Sequence, residues 1–103
     1  MSQITDVDIQ TAKEKIDNGA ILVDVREQNE YDAQHIPGSI LIPLSEFETR
    51  FEELPKDKAL VMQCRSGARS ARAGDYLLAS GYTDVVNMAG GILAWAEADL
   101  EVT

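Results

Sequence analysis

The sequence predicts an α/β fold in which a mostly parallel sheet is covered by helices. Segments with strand character alternate with segments of helical spacing along the chain. Two of the strand segments, residues 20–25 and 59–63, are nearly continuous apolar runs, which are typical of strands covered on both faces. Such an alternation favours parallel strands joined by right-handed helical crossovers.

The length and composition indicate one domain over residues 1–103. A chain of this size buries roughly 60–70% of its unfolded surface, which suffices for a core without disulfides. Hydrophobic residues make up 45% and charged residues 26% of the chain, as in soluble globular proteins. The amino terminus lacks the features of a signal peptide, and no segment approaches the roughly 20 apolar residues of a membrane span. We therefore expect a cytoplasmic protein with no membrane partner.

The distribution of charge indicates a small anionic ligand. The formal net charge of −9 argues against nucleic acid and anionic membranes as partners. Three of the nine basic residues, Arg65, Arg69 and Arg72, nevertheless lie close together, and residues 58–74 contain no Asp or Glu. The alternative is a solvated basic surface that binds nothing. The neighbouring Cys64 favours the interpretation as an anion-binding site.

The first helix is predicted to begin within residues 5–8, where Thr or Asp serves as its N-cap. Ile9, Ala12 and Ile16 fall on one helical face, and the Asn-Gly pair at residues 18–19 ends the helix. This helix leads into the first of the two apolar strands.

The middle of the chain predicts two short helices with a strand between them. Residues 28–34 form the first helix, which ends before a Pro-Gly turn, and residues 39–42 form the strand. Ser45 and Glu48 have the spacing of a capping box, which predicts a second helix that continues to about Glu53. A polar turn then leads into the second apolar strand.

The last part of the chain contains the clearest helical pattern, over residues 70–79. Its apolar and small residues recur at helical spacing: Ser70, Ala73, Gly74, Leu77 and Leu78. Residues 85–88 are predicted to form the next strand, and residues 92–98 the last helix. Residues 99–103 are predicted to be a frayed tail.

Cys64 is the only cysteine, and it lies between a predicted strand and a predicted helix. A thiol at a helix N-terminus faces unpaired N–H groups and the positive end of the peptide dipoles, which favour the thiolate. Because the thiolate is the nucleophile, this position indicates covalent chemistry. A small buried hydrophobe is the alternative, although the flanking arginines and glycine suit a packed core poorly. Ligands of parallel sheets also bind beyond the carboxyl ends of the strands.

The residues after Cys64 have the composition of an anion-binding loop. If the loop curls around the thiol, its N–H groups form a nest, and Gly67 supplies the backbone freedom. Arg65 and Arg69 can hold an oxyanion at the rim, with Arg72 steering it from further away. The candidate substrate-binding residues are Arg65, Ser66, Gly67, Ala68, Arg69 and Ser70. One Cys and one His argue against a metal cluster, and no cofactor is expected.

Two kinds of chemistry fit a cysteine–arginine loop. In cysteine-dependent phosphatases, and by the same argument an arsenate reductase, the loop is one residue longer than the four that separate Cys64 from Arg69. The present loop is therefore too tight for a tetrahedral phosphoryl group. A single sulfur atom fits better. The thiolate would attack the outer sulfur of a donor such as thiosulfate, sulfite would leave, and a persulfide would remain for a second nucleophile.

Three segments of the chain closely resemble the rhodanese family. They are DVR, EY, HIPGS and IP within residues 24–43, CRSGARS at residues 64–70, and GGILAW at residues 90–95. The match extends over residues 4–98, so the chain resembles a stand-alone, single-domain member. The resemblance implies a five-stranded parallel sheet with helices on both faces. It also implies sulfurtransferase activity, with Cys64 as the persulfide carrier.

The donor and the acceptor stay open at this point. The loop has neither the Lys after Arg of the common thiosulfate form nor the Gly after Cys of the mercaptopyruvate form. The loop therefore does not identify the donor, which the proposed sulfur chemistry limits to thiosulfate or a similar small anion. Since the chain has no second thiol, the acceptor must be external: cyanide, a thiol or a protein. The alternative function is a sulfur carrier that delivers persulfide sulfur to a specific protein partner.

Four further residues have two interpretations each. Asp24 and Arg26 lie at the end of a strand and either contact the loop or, as we favour, tie the sheet to the next segment. His35 is either a base or, as we favour, a residue that fixes the following turn. Trp95 either lines the substrate entrance or, as we favour, lies in the core near the site.

Overall fold

The computed structural model describes residues 3–103 and has a single five-stranded sheet in this range. The strands are β1 (Thr5–Val7), β2 (Ile21–Asp24), β3 (Ile40–Leu41), β4 (Leu60–Gln63) and β5 (Val85–Met88). Their order across the sheet is β1-β5-β4-β2-β3, and every neighbouring pair is parallel. The five-stranded parallel sheet expected from the family resemblance is confirmed.

Each of the five strands is followed along the chain by an α-helix. These helices are α1 (Ile9–Asp17), α2 (Gln28–Ala33), α3 (Phe47–Arg50), α4 (Ala68–Ala79) and α5 (Gly91–Glu97). Two short 3₁₀ turns, Leu44–Glu46 and Phe51–Glu53, flank α3. Within residues 3–103, none of the helices has the length and apolar character needed to cross a membrane.

The sheet separates two apolar layers, so both of its faces are covered as expected. Alternation along the strands sends neighbouring side chains to opposite faces. The α4 layer consists of Val23, Val25, Ile42, Phe47, Leu54, Leu60, Met62, Cys64, Ala73, Leu77, Tyr82 and Val85. The α5 layer consists of Ala12, Leu22, Ile36, Val61, Met88, Ile92 and Trp95. Each fully buried large side chain stabilises the fold by about 1.5–3 kcal/mol relative to exposure.

The predicted N-cap within residues 5–8 is confirmed as Asp8, but the strand that precedes it was not predicted. Thr5–Val7 forms β1, an edge strand paired with β5, instead of the first helical turn. The N-cap is Asp8, whose Oδ1 accepts a hydrogen bond from Thr11 N at 2.8 Å. The helical face is confirmed, with Ala12 fully buried. A three-residue strand, two of whose residues are exposed, is too short to give an alternating pattern.

The capping box predicted at Ser45 was also wrong. The Ser45 hydroxyl donates to Glu27 Oε1 at 2.7 Å, and the segment up to Glu53 is divided between α3 and the two 3₁₀ turns. A capping box occurs instead at α2, where Glu27 N donates to Glu30 Oε1 at 3.0 Å. Ser45 therefore connects two segments and does not cap its own helix.

The carboxyl-terminal residues are ordered, contrary to the predicted frayed tail. His35 and Thr103 exchange both backbone hydrogen bonds, at 2.9 and 2.8 Å. The Trp95 indole Nε1 donates to Glu101 O at 2.8 Å, and Leu100 and Val102 pack against the α5 layer. These contacts come from residues distant in sequence, so the polar composition of the tail gave no indication of them.

Candidate active site

Cys64 directly follows β4, at the carboxyl end of a central strand of the sheet. Its side chain is 1% exposed and belongs to the α4 layer. The loop that follows is short, because α4 begins at Ala68, two residues earlier than predicted. Gly67 is the N-cap of α4 and has a φ of +111°, a conformation that favours glycine. Strand, loop and helix thus place the thiol at a helix N-terminus.

Main-chain and side-chain donors surround the sulfur. Gly67 N donates to Cys64 Sγ at 3.1 Å, and the Ser70 hydroxyl lies 3.4 Å from the same atom. Burial raises the pKa of the Cys64 thiol, but the Ser70 hydroxyl and the amides of Ser70, Gly67 and Ser66 together outweigh burial, so the pKa is lowered. The arrangement therefore favours a thiolate in a nearly dry site.

The amino terminus of α5 holds the back of the loop. Ile92 N donates to Cys64 O at 2.9 Å, and Leu93 N donates to Arg65 O at 3.3 Å. The side chain of Gln63 also donates to Cys64 O, at 2.9 Å. In a trans peptide the N–H points away from the C=O. Because these carbonyls face α5, the N–H groups of the same two peptides, those of Arg65 and Ser66, point away from α5.

Glycine is required where α5 meets the loop. Gly91 has a φ of +58°, and a Cβ there would lie 2.4 Å from both Cys64 O and Arg65 O. Gly90 also has a positive φ, of +81°. A larger residue at position 91 would push the loop and helix apart and break the contacts to the carbonyls. The close packing of Gly91 against these carbonyls explains why the GGILAW segment occurs together with the cysteine loop.

Asn87 supports the loop from β5, and the sequence analysis did not identify it. Its Nδ2 donates to Gly67 O at 3.0 Å and to Asp6 Oδ1 at 2.9 Å, while its Oδ1 accepts from the Ser70 hydroxyl at 2.6 Å. Since a hydroxyl carries one proton, Asn87 and the Cys64 thiolate compete for it. A polar residue within the otherwise apolar strand of residues 85–88 was the available signal.

Arg69 is held by an ion pair and does not extend freely from the rim. Its Nη1 and Nη2 contact Glu30 Oε1 and Oε2 at 2.7 and 2.9 Å. The hydrogen bonds from Arg69 lower the pKa of Glu30 to about 2, and Glu30 raises the pKa of Arg69. Arg65 and Arg72 are exposed, and neither has an ion-pair partner within residues 3–103. The unpaired positive charges beside the loop therefore belong to Arg65 and Arg72.

Asp24 and Arg26 form a buried pair with the structural role that was favoured. Asp24 is fully buried and accepts hydrogen bonds from Arg26 N, Nε and Nη2, the last at 2.8 Å. Arg26 also donates to Gln34 O at 2.7 Å and to Glu30 O at 3.4 Å. The pair ties the end of β2 to α2, and α2 in turn carries the Glu30 carboxylate that holds Arg69.

His35 and Trp95 lie apart from the sulfur. The His35 ring stacks on Tyr31 at a centroid distance of 3.9 Å, and its Nδ1 lies 3.0 Å from Tyr31 O, so it fixes the turn as favoured. Trp95 is 4% exposed and belongs to the α5 layer, across the sheet from Cys64. Its expected place in the core is therefore confirmed, in the layer on the other face of the sheet from the Cys64 side chain.

A family comparison agrees with this fold and loop. The description "Rhodanese-like domain" matches residues 8–98, and the chain belongs to this family of sulfurtransferases. A sulfurtransferase of Allochromatium vinosum is 43% identical over 82 residues, which cover 80% of this chain and 77% of that protein. The thiosulfate sulfurtransferase GlpE of Pseudomonas syringae is 35% identical over 79 residues, which cover 77% of this chain and 74% of that protein.

A solved structure shares the architecture. The crystal structure of a rhodanese-related protein from Thermoplasma volcanium has a TM-score of 0.89 and 32% identity, covering 96% of this chain and 97% of the other. Some relatives are longer: the chain spans 52% of one protein of Bacillus subtilis and 20% of one of Mycobacterium tuberculosis. The domain thus occurs both alone and within larger chains.

Proposed function

We propose that this sulfurtransferase takes a sulfane sulfur from thiosulfate or a similar anion onto Cys64 and transfers it to an external acceptor. The Cys64 thiolate attacks the outer sulfur of the donor. A bond forms between Sγ and that sulfur, the sulfur–sulfur bond of thiosulfate breaks, and its electron pair leaves with sulfite. The product is a persulfide anion, which carries the same single negative charge as the thiolate did.

A second nucleophile completes the cycle. Cyanide or a thiolate attacks the outer sulfur of the persulfide, and the electron pair of the sulfur–sulfur bond returns to Sγ. No proton has to move in either step, so neither step requires an acid or a base beside Cys64. Fixed N–H dipoles stabilise both anionic forms without reorganising. The observation that carries this proposal is the contact of Gly67 N with Sγ at 3.1 Å.

The choice of a thiosulfate-like donor rests on charge at the rim. Arg65 is exposed and has no carboxylate partner among the described residues, so it is the cation that we assign to the oxyanion end of the donor. Arg69 has its guanidinium on Glu30 and contributes to the loop's geometry. The similarity to GlpE, whose name specifies thiosulfate, points in the same direction.

Delivery to a protein partner is the second candidate function. Leu93 is 43% exposed, although it lies in the first turn of α5 and its amide contacts Arg65 O. An exposed apolar side chain beside a reactive loop suits a protein acceptor better than it suits cyanide. Because the net charge of −9 disfavours nucleic acid and anionic membranes, we propose that the acceptor is neither.

Thiocyanate formation from thiosulfate and cyanide tests the enzymatic proposal. Wild-type protein is expected to turn over with ping-pong kinetics, and Cys64→Ser to be inactive. Arg65→Gln should raise the KM for thiosulfate by about tenfold, because one charge-assisted hydrogen bond to the donor is lost. The matched control is Lys13→Gln, which removes a positive charge from an ion pair on α1. Turnover by Cys64→Ser at the wild-type rate would refute the proposal.

A further inference from the structure

Gln63 has an unusual environment for a polar side chain. It is the last residue of β4, it is fully buried, and its Nε2 donates to Cys64 O at 2.9 Å. Its Oε1 is the one buried side-chain nitrogen or oxygen within residues 3–103 that has no hydrogen-bond partner. Buried polar atoms are nearly always paired, so an exception in a family's reactive loop calls for an explanation.

The hydrogen bond from Gln63 is not needed to satisfy the carbonyl. Cys64 O already accepts a hydrogen bond from Ile92 N, also at 2.9 Å. An unpaired acceptor in an apolar layer lowers stability. A side chain of similar volume without polar atoms, such as methionine, would remove that cost. Stability alone therefore does not account for glutamine at this position.

The position of Gln63 explains what its hydrogen bond can do. Alternation along β4 places Gln63 with Val61 on the side of the α5 layer, while Met62 and Cys64 belong to the α4 layer. The Cys64 carbonyl points toward α5, because it accepts a hydrogen bond from Ile92 N. The N–H of the same peptide, which belongs to Arg65, points the opposite way, toward the side where Sγ lies.

The Arg65 N–H is separate from the donors of the free thiolate. The groups that lower the pKa of the Cys64 thiol are the Ser70 hydroxyl and the amides of Ser70, Gly67 and Ser66. The Arg65 amide is not among them. Because Cys64 O bonds Ile92 N of α5, the Arg65 N–H points away from α5 and is the donor that we assign to a second sulfur atom attached to Sγ.

We propose that Gln63 is a positioning residue for the persulfide form, because it fixes and polarises the Cys64–Arg65 peptide whose N–H faces the outer sulfur. This inference rests on the proposed function. Gln63 should therefore affect the lifetime of the persulfide and leave the reactivity of the free thiol unchanged. It should also contribute no net stability.

Gln63→Met tests three expectations together: a changed persulfide lifetime, an unchanged reactivity of the free thiol, and no loss of stability. Wild-type and variant proteins are loaded with thiosulfate or with sodium tetrasulfide, freed of donor, and followed by intact mass. The persulfide half-life should be about fivefold shorter in the variant, in proportion to one lost neutral hydrogen bond. The pH midpoint of alkylation of the unloaded thiol should not change. The melting temperature should be equal to or higher than that of wild type.

The control is Val61→Ala, on the same strand and the same face. It should lower the melting temperature through a cavity in the α5 layer and leave the persulfide half-life unchanged. Gln63→Leu serves as a second apolar variant. Equal half-lives in wild type, Gln63→Met and Gln63→Leu would overturn the inference, as would loss of folding in both variants. Wild-type protein that loads no sulfur from either donor would instead refute the proposed function itself.

Discussion

Glu30 and Arg69 are 39 residues apart in sequence, yet they form a two-pronged ion pair with contacts of 2.7 and 2.9 Å. The pair joins α2 to the first turn of α4, directly behind the cysteine loop. Arg26 holds the same helix through its hydrogen bonds to Glu30 O and Gln34 O. The end of β2, helix α2 and the start of α4 are therefore connected by charged groups.

The first prediction is that Glu30 and Arg69 act as a unit. Glu30→Gln and Arg69→Ala should each lower the free energy of unfolding by about 1 kcal/mol, a value suited to a partly exposed pair. The double variant should lose little more than either single one. Urea denaturation of the four proteins measures this coupling. If the losses of the two single variants add up in the double variant, the ion pair between Glu30 and Arg69 does not stabilise the folded state.

A second prediction concerns the stability of the folded protein at acid pH. The pKa of Glu30 falls from 4.5 in a free side chain to about 2 in the folded protein. A lowered folded-state pKa stabilises the fold above the unfolded value, and this stabilisation is lost as the pH falls toward the folded value. The stability difference between wild type and Glu30→Gln should be constant above about pH 5 and disappear between about pH 4.5 and 2. A difference as large at about pH 2 as at neutral pH would contradict the assignment.

Ser70→Ala should make the Cys64 thiol a weaker acid. The hydroxyl of Ser70 is one of the groups that lower the pKa of Cys64. The pH midpoint of alkylation by iodoacetamide should therefore move upward. Ser66→Ala is the matched control, because Ser66 acts through its amide, which alanine retains. An unmoved midpoint in Ser70→Ala would mean that the Ser70 hydroxyl donates to Asn87 Oδ1, 2.6 Å away, and not to Cys64 Sγ.

Gly91→Ala should disrupt the loop more than an ordinary glycine replacement does. Its Cβ would meet Cys64 O and Arg65 O at 2.4 Å, whereas Gly38, with a φ of +84°, has no atom within 4 Å of such a Cβ. Gly38→Ala should therefore cost about 1 kcal/mol of unfolding free energy, and Gly91→Ala about 2–4 kcal/mol. Urea denaturation gives both values. Equal losses would show that α5 and the loop can separate freely.

The parts of the fold that depend on local pattern were predictable. The apolar run before Cys64 and the helical spacing after it located β4 and α4, and Val85–Met88 matched its predicted strand. The strand over residues 39–42 was also predicted and contains β3. The fifth strand, β1, came only from the family resemblance, because three residues are too few to produce a pattern. The tail was mispredicted since its order depends on Trp95 and His35.

The residues that contact the loop from other elements could not be predicted from local sequence patterns. Asn87 and Glu30 reach the loop only after distant strands and helices have packed together. Arg69 had the charge expected of an anion ligand, but its carboxylate partner is visible only in three dimensions. The predicted roles of Arg65 and of the loop amides in binding the donor stay predictions.

Intact mass after exposure to thiosulfate tests the central claim most directly. Wild-type protein should gain about 32 Da, the mass of one sulfur atom on the nucleophile, and lose it again when cyanide is added. Cys64→Ser should gain nothing. A wild-type protein that keeps its original mass with thiosulfate and with every other sulfane donor, or a Cys64→Ser protein that gains the same mass, would contradict the account.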